Sequence, residues 1–390
     1  MNEPCLAYIA QGKLHLQRDS GPHTVESLFG RSLRDRAIQI HNRHAWKAQG
    51  RGAQYMRGVL WADAGRDPSE FRIAVTSVTR GRNPGEVLYT LETDEISGVF
   101  ALDATGFEQR LFHTADFRVQ DIDVHPDGAG IAVSVRHHNG TANVAVLKAD
   151  GSDFSEVSEG DSVDRAPRWV PGSDRRLIFQ SAGAGRDAGG RFSEYGPFAV
   201  HQLNLDSGQI SCLAEDAKVD LLGPQMTGDG ALYYIRRPYA NGQPAINPIA
   251  AVTDVAMLPF RLLFAVFQFI NFFSVKYTGQ PLSTSGGAAK KTQDVKRMMV
   301  WGNMIDAERA AREDRLGEED APCMVPSSWQ LVRQSRSGKE VLAKGVLSFH
   351  IARDGSVIYT NGSAVHHIQP NGERATRILV GAMIEQVAAL

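Results

Sequence analysis

A strand-and-turn unit that returns at a near-constant interval constrains this 390-residue chain more than any other feature. The unit reads KLHLQRDSG (13–21), GVFALDATG (98–106), NVAVLKADG (143–151), FAVHQLNLDSG (198–208), WQLVRQSRSG (329–338) and AVHHIQPNG (364–372). Each copy alternates apolar with other residues, as a half-buried strand does, and closes on a glycine that can take positive φ. From Gly106 onward the closing glycines are spaced 45, 57, 130 and 34 residues apart. The long gap holds residues 241–326, which do not read as strands; without those 86 residues it shrinks to 44. A second turn precedes the units as IDVHPDG (122–128), APRWVPGSD (166–174), GPQMTGDG (223–230) and FHIARDG (349–355). Each of these leads into a β-rich run: IAVSV, RLIFQS, ALYYI or SVIYT.

A period near 45 residues with about four strands per repeat is the pattern of a propeller blade. A β-sandwich with similar hairpins is the competing architecture, but unrelated hairpins have no reason to keep this order of turns. The pattern therefore predicts an all-β chain forming a single domain over 1–390, a six-bladed β-propeller. Its blades fall at 71–114, 119–158, 165–214, 219–344 with the insertion, and 346–380. The sixth is split between the chain ends. MIEQVAAL (383–390) supplies its innermost strand, and LAYIA, KLHLQ and HTVES the other three. Such closure pairs the two ends and leaves no open sheet edge.

The stretches APRWVPGSDRRLIFQS and DIDVHPDGAGIAVSV, and more loosely GPQMTGDGALYYI and the region around Asp354, resemble the repeat of TolB-like β-propellers. The resemblance spans the strands of most of the chain, but not 28–70 or 241–326. It implies the fold and protein binding, and a fold by itself does not fix function. The family's namesake is periplasmic, binds partners of the Tol–Pal envelope system and has an extra α/β domain. The start MNEPCLAYIAQGKLHL has neither a basic n-region nor an apolar h-region, which points to the cytoplasm instead. Related propellers that accompany a hydrolase domain leave no counterpart for that domain here.

Residues 255–275, VAMLPFRLLFAVFQFINFFSV, contain 16 apolar residues out of 21. From Pro259 to Lys276 a helix would be about 27 Å long. Arg261, Gln268 and Asn271 share one narrow stripe, and Phe264, Phe267, Phe269, Phe272 and Phe273 cover much of the rest. After the linker GQPLSTSGGAA, residues 290–317 read as a second helix, apolar around Met298, Met299 and Trp301. Three arrangements compete for this helical insertion. One is a transmembrane span, which needs a return crossing that the second segment is too polar to make. Another is a helix lying in a membrane surface with a basic rim. The third is a helical hairpin packed on the propeller or on a second copy.

Residues 28–70 read as a long basic loop. Between 31 and 57 it has seven basic residues and one acidic, Asp35. Arg34, Arg43, Lys47 and Arg51 are interleaved with Trp46, a composition suited to anionic lipid, a phosphopeptide or nucleic acid. The plain alternative is a solvated loop whose arginines pair with acidic turns. In blade geometry this segment, the insertion and residues 182–197 all decorate one face, where binding concentrates.

The rest of the sequence narrows the chemistry. With 42 Lys+Arg against 44 Asp+Glu the net charge is −2, so no global positive field favours nucleic acid. Cys5, Cys212 and Cys323 form no CxxC pair, and neither a disulfide framework nor a cysteine metal site is expected. No GxSxG, HExxH or GxxxxGK[ST] occurs. The pairs His137–His138 and His366–His367 point to opposite faces of a strand and cannot easily share one metal ion. Asp121, Asp123 and Asp127 have calcium-like spacing, but Asp127 belongs to a Pro-Asp-Gly turn. The sequence thus points to a cytoplasmic propeller scaffold that binds a protein partner, peripheral to the inner membrane or self-associating through its insertion. It names no catalytic residue, cofactor or metal. The alternative is an ester or lactone hydrolase with its site at the propeller mouth.

Overall fold

Short apolar segments, several of them buried along their whole length and broken by turn glycines, build an all-β chain. The computed structural model describes residues 5–18, 21–45, 72–172, 175–186, 192–239, 297–300, 303–306, 317–318, 321–370, 374–381 and 383–390. It divides into two compact units, Met1–Tyr239 with Met298–Leu390, and Ala240–Arg297. The second lies outside the described residues except for Arg297, and the first holds nearly all of the β-structure.

In chain order, β1 (Leu6–Ala10), β2 (Lys13–Arg18) and β3 (Gly21–Val25) precede helix α1 (Leu28–Ala45). Then come β4 (Ile73–Arg80), β5 (Val87–Thr93), β6 (Ser97–Leu102) and β7 (Glu108–Thr114), an antiparallel meander. The next group is β8 (Arg118–Val124), β9 (Gly130–Arg136), β10 (Ala142–Lys148) and β11 (Ser155–Glu156). It is joined through one parallel pair, Ala142 with Val163, to β12 (Ser162–Trp169), β13 (Arg176–Arg186), β14 (Phe192–Tyr195), β15 (Ala199–Asn204) and β16 (Ile210–Ala214). After β17 (Val219–Met226) and β18 (Leu232–Pro238) the chain forms two small hairpins. They are β19 (Arg297–Val300) with β20 (Asn303–Asp306), and β21 (Gly317–Glu318) with β22 (Ala321–Pro322). It returns to the same sheet as β23 (Gln330–Ser335) and β24 (Gly338–Lys344). A last meander is β25 (Ser348–Ile351), β26 (Val357–Thr360), β27 (Ala364–Ile368) and β28 (Thr376–Val380). Finally β29 (Ile384–Ala389) pairs with β1 in a sheet ordered β29–β1–β2–β3.

The turns explain the period. Gly106 and Gly151 adopt φ of 88° and 86°, values that L side chains rarely reach. At Gly151 a Cβ would also come within 2.3 Å of the Leu111 carbonyl oxygen, so this turn is packed against the preceding sheet. The cores between sheets are apolar: Leu88, Val99, Val119, Ile122, Ile131 and Val133, for instance, join the β4–β7 meander to the β8–β11 group.

A second regularity lies in strands β4, β8, β12 and β17. The ladder is interrupted by a bulge or irregularity in β4 between Val75 and Ser77, in β8 between Gln120 and Ile122, in β12 between Arg165 and Arg168, and in β17 between Leu222 and Gln225. A bulge turns backbone groups out of the ladder. The groups released here, or next to it, are taken by side chains of the neighbouring sheet. Ser77 Oγ accepts Ile122 N (3.1 Å), Asp121 accepts Ala166 N (3.2 Å), and Gln180 Oε1 accepts Gly223 N (2.7 Å). Gln225 accepts Ile351 N and donates to Phe349 O, both at 2.9 Å. His350 Nδ1 accepts Ala389 N (3.2 Å), and Gln386 Oε1 accepts Val78 N (3.0 Å), which returns the circuit to β4.

Two segments differ from the sequence expectation. Residues 28–45 of the expected basic loop form α1. Ser27 caps it, its Oγ accepting Gly30 N at 3.0 Å, and Glu108 of β7 accepts Phe29 N at 3.0 Å and Ser27 Oγ at 2.6 Å. Phe29, Leu33 and Ala37, four residues apart, are its half-buried stripe, and Phe29 stacks near Phe100 at 5.1 Å. In the expected second helix, 297–300 and 303–306 are strands. Gly302 disfavours a continuous helix there by about 1 kcal/mol relative to alanine, and Val300 favours a strand. The end of the expected insertion, 241–326, is also part of the first unit: Ala321, Cys323 and Val325 are buried, the latter two in its core.

The closing strand and its neighbour His350 lend themselves to two measurements. Deleting 383–390 removes buried Ile384, Val387 and Ala388 together with the Gln386 bridge. At about 1.5–3 kcal/mol for each of the two larger side chains, the loss is a large share of the stability of an ordinary domain. A broad or strongly lowered thermal transition is expected, and an unchanged melting curve contradicts the closure. Separately, burial pushes the His350 imidazole well below its ordinary value, and Arg168 and Arg80 push it further. A depressed folded pKa makes its stabilisation complete above the unfolded value near 6.5, and that stabilisation is lost as pH falls. Stability should decline below pH 6.5 with a slope of up to about 1.4 kcal/mol per pH unit from this group. His350→Gln, which keeps an acceptor, should flatten that slope in urea titrations at pH 7 and pH 5.

Candidate functional site

Beyond its pairing with β15, strand β13 runs on and pairs with β14 as a two-stranded ribbon: Ala184 with Tyr195, Gly185 with Glu194, Arg186 with Phe192. The length of β13, 11 residues, is what carries the ribbon past the sheet. Its glycines Gly183 and Gly185 leave one side bare, and an open groove of about 380 Å³ lies there. Asp161, just before β12, forms one wall and Tyr239, just after β18, another. Tyr239 donates its hydroxyl to the Tyr195 carbonyl at 2.5 Å, and Tyr195 donates to the Gly140 carbonyl at 3.2 Å. Asp161 accepts Arg186 Nε at 2.5 Å, and this hydrogen bond holds its carboxyl below the usual carboxylate range. At Gly183 a Cβ would meet nothing within 4 Å, so the floor is open space. The lining is two carboxylates, two tyrosines and glycine backbone, a surface that can recognise hydrogen-bond donors along an extended chain. It holds no nucleophile with a neighbouring base among the described residues.

The acidic residues of the inner strands have a different role. Burial would raise the Asp121 carboxyl, but Arg165 (Nε at 2.9 Å, Nη2 at 3.2 Å), Ser134 Oγ at 2.8 Å and Ala166 N hold it below the ordinary range. Asp123 accepts Arg168 Nη1 at 3.0 Å and Trp169 N at 2.9 Å. Asp164 takes the hydroxyls of Ser158 and Ser181, each at 2.6 Å. Asp220 takes Arg237 Nε at 2.8 Å and Phe198 N at 3.0 Å in a pair that is almost wholly buried. Each carboxylate is thus held by hydrogen bonds. The calcium-like spacing of Asp121, Asp123 and Asp127 does not converge on one point: the first two serve the neighbouring strand β12, and Asp127 accepts Ala129 N at 2.7 Å within its own turn. His137 Nε2 lies 3.1 Å from Glu156. No group of three metal-ligating side chains occurs among the described residues.

The contact residues expected from sequence are only partly brought into view. Arg34 is exposed on α1, and Arg43 lies in the same helix. Met298 lies in β19. Trp46, Lys47, Arg51, Arg261, Phe264, Phe267, Phe269, Phe272, Phe273 and Trp301 lie outside the described residues. No helix among the described residues is long and apolar enough to cross a membrane. The glycine-rich stretch 183–190 reads as a loop in the sequence, yet its start belongs to β13. The signal that could have shown this is the alternation FSEY at 192–195, which supplies a pairing strand.

No known protein family matches the chain, and no curated protein does. Solved structures do. TolB from Acinetobacter baumannii is similar with a TM-score of 0.51 at 12% identity, over 99% of this chain and 66% of that one. A chain of the nidogen/laminin complex is similar with a TM-score of 0.52 at 8% identity, over 100% of this chain and 99% of that one. The chain therefore spans just under two thirds of the length of the TolB structure. At these identities the likeness is one of fold, and it is the fold of a TolB-like β-propeller.

The ion pairs generate a stability prediction. Asp121→Ala removes the acceptor of both Arg165 and Ala166 N, and breaking such a part-buried pair costs about 3–5 kcal/mol. Asp121→Asn keeps an acceptor oxygen and should lose less. Urea unfolding at pH 7 measures both, and equal, negligible losses would show that the pair does not hold β8 to β12.

Proposed function

We propose that this chain is a six-bladed β-propeller scaffold that docks a protein partner across the groove beside the β13–β14 ribbon. The observation that carries this is the groove itself. It is open, lined by tyrosines, carboxylates and bare glycine backbone, and bounded by a ribbon that extends beyond its sheet. Rigid strands with irregular connections are where recognition concentrates. The TolB-like fold supports the reading, and the nidogen/laminin chain comes from a protein complex. In this proposal the groove binds and does no chemistry. The insertion after β18 adds a second contact, because a run with 16 apolar residues of 21 needs cover from a partner, a second copy or a membrane surface. The cytoplasmic face of the membrane fits the sparse cysteines.

The test uses the full-length chain. Gly183→Phe fills the groove without backbone strain, since Gly183 does not have positive φ and has no neighbour in reach. Crosslinking followed by purification from cells should capture a discrete partner with wild type and lose it with Gly183→Phe. Retention of the same partner by a folded Gly183→Phe protein would refute the groove. The insertion is tested in parallel by replacing Phe264, Phe267 and Phe272 with Ser. Self-association or liposome flotation should fall while the thermal melt is kept. Charge reversal at Arg34, Arg43 and Arg51 should weaken flotation on anionic liposomes by a few kcal/mol, at about 1 kcal/mol per basic residue. Equal flotation on neutral and anionic vesicles would remove the basic segment from the contact.

A further inference from the structure

The groove beside the β13–β14 ribbon has one-sided chemistry. Apart from three glycines, its lining is Asp161, Ala184, Glu194, Tyr195 and Tyr239, with no lysine, arginine or histidine. The tyrosine hydroxyls are the only side-chain donors of that lining. Both are spent on backbone carbonyls: Tyr239 on Tyr195 O at 2.5 Å, and Tyr195 on Gly140 O at 3.2 Å. What the lining side chains still offer is lone pairs, on two phenolic oxygens and on carboxylates. A ligand that satisfies them must bring donors.

The two carboxylates differ. Asp161 accepts Arg186 Nε at 2.5 Å, and Nη2 of the same guanidinium reaches its other oxygen, a fork that matches its charge. Glu194 is exposed, and its carboxylate forms no hydrogen bond or ion pair among the described residues. It lies opposite Gly185 in the ribbon, where a Cβ would come within 3.1 Å of the Glu194 carbonyl oxygen. At Gly183 the space is open. The backbone of an incoming chain can therefore approach the ribbon closely, beside a negative charge that no described residue neutralises. The two tyrosines strengthen the preference, because the faces of aromatic rings attract cations. An anionic segment would meet like charge instead.

We infer that the groove takes an extended segment of a partner protein that carries a lysine or arginine. The cation sits at Glu194, and the backbone of the segment runs along Gly183 and Gly185. This rests on the reading of the groove as a docking site and adds the charge of its occupant.

Fluorescence anisotropy on the full chain at low ionic strength tests it with three labelled peptides of one length: Gly-Lys-Gly-Arg-Gly, Gly-Ser-Gly-Ser-Gly and Gly-Glu-Gly-Asp-Gly. The basic peptide should saturate, and the neutral and acidic ones should not. Glu194→Gln should weaken the basic peptide by about fivefold, the upper end for an exposed ion pair, and Glu194→Lys should abolish its binding. Gly183→Phe should block it as well. Glu340→Gln, at an exposed carboxylate on β24, should leave it unchanged. Glu194 and Glu340 are both exposed, so these variants should keep the wild-type circular-dichroism melt. The proposal is overturned if the basic peptide does not saturate or if the neutral one binds equally well. It is also overturned if Glu194→Lys or Gly183→Phe binds the basic peptide like wild type, or if Glu340→Gln weakens it as much as Glu194→Gln. Its failure is separable from that of the docking site. A crosslinked cellular partner that is lost with Gly183→Phe but kept with Glu194→Lys leaves the groove in place and removes the cation from it.

Discussion

The first strand of a sheet pairs on one side only, and its other edge is a row of amides and carbonyls that must find partners. This chain answers with side chains from the adjoining sheet. Ser77, Asp121, Gln180, Gln225, His350 and Gln386 each take a backbone N–H of the next first strand, at 2.7–3.2 Å. A neutral hydrogen bond of this kind nets only about 0.5–1.5 kcal/mol, but leaving the buried group unsatisfied costs about 1–3 kcal/mol. The sheets are therefore tied to one another by groups that cannot be removed singly without exposing a deficit. The repeated bulges in β4, β8, β12 and β17 belong to the same arrangement, because those in β12 and β17 hold the N–H that the neighbour accepts and those in β4 and β8 lie beside it.

The same contacts decide what the polar residues near the strands are available for. Asp121, Asp123, Asp164 and Asp220 are held by arginines, serines and amides, so they hold strands and sheets together and are not left to act on a substrate. Before β12 begins, Asp161 joins the ribbon of β13 and β14 around an open, acidic groove. Where β12 ends, Arg168 donates to Asp123 at 3.0 Å.

Much of the fold was legible in the sequence because it is written in local chemistry. Strand alternation and turn glycines such as Gly106 and Gly151 act within a few residues, and their spacing survives in the sequence whatever the rest of the molecule does. The pairing of LAYIA with the chain's last strand was readable because both are short and apolar and the last strand has no other partner near it in the sequence. Helix α1 was less legible. Its stripe of Phe29, Leu33 and Ala37 is brief, many of its other residues are basic or polar, and its anchoring carboxylate, Glu108, lies 79 residues beyond Phe29. The strands at 297–300 and 303–306 were missed because Met298 and Met299 fit a helix and a strand alike.

The sequence by itself determined the repeat and the positions of its turns, because each depends on neighbours in the chain. Only the tertiary structure decided which side chains tie one sheet to the next. The residues that do so are serine, aspartate, glutamine and histidine, reaching across as many as 308 positions, as Gln386 does to Val78. No periodic residue type marks them, because the requirement is an acceptor at the right place in space, and several side chains meet it. The groove belongs to the same class: it is assembled from the approach to β12, the β13–β14 ribbon and the residue after β18, which the chain visits at separate times.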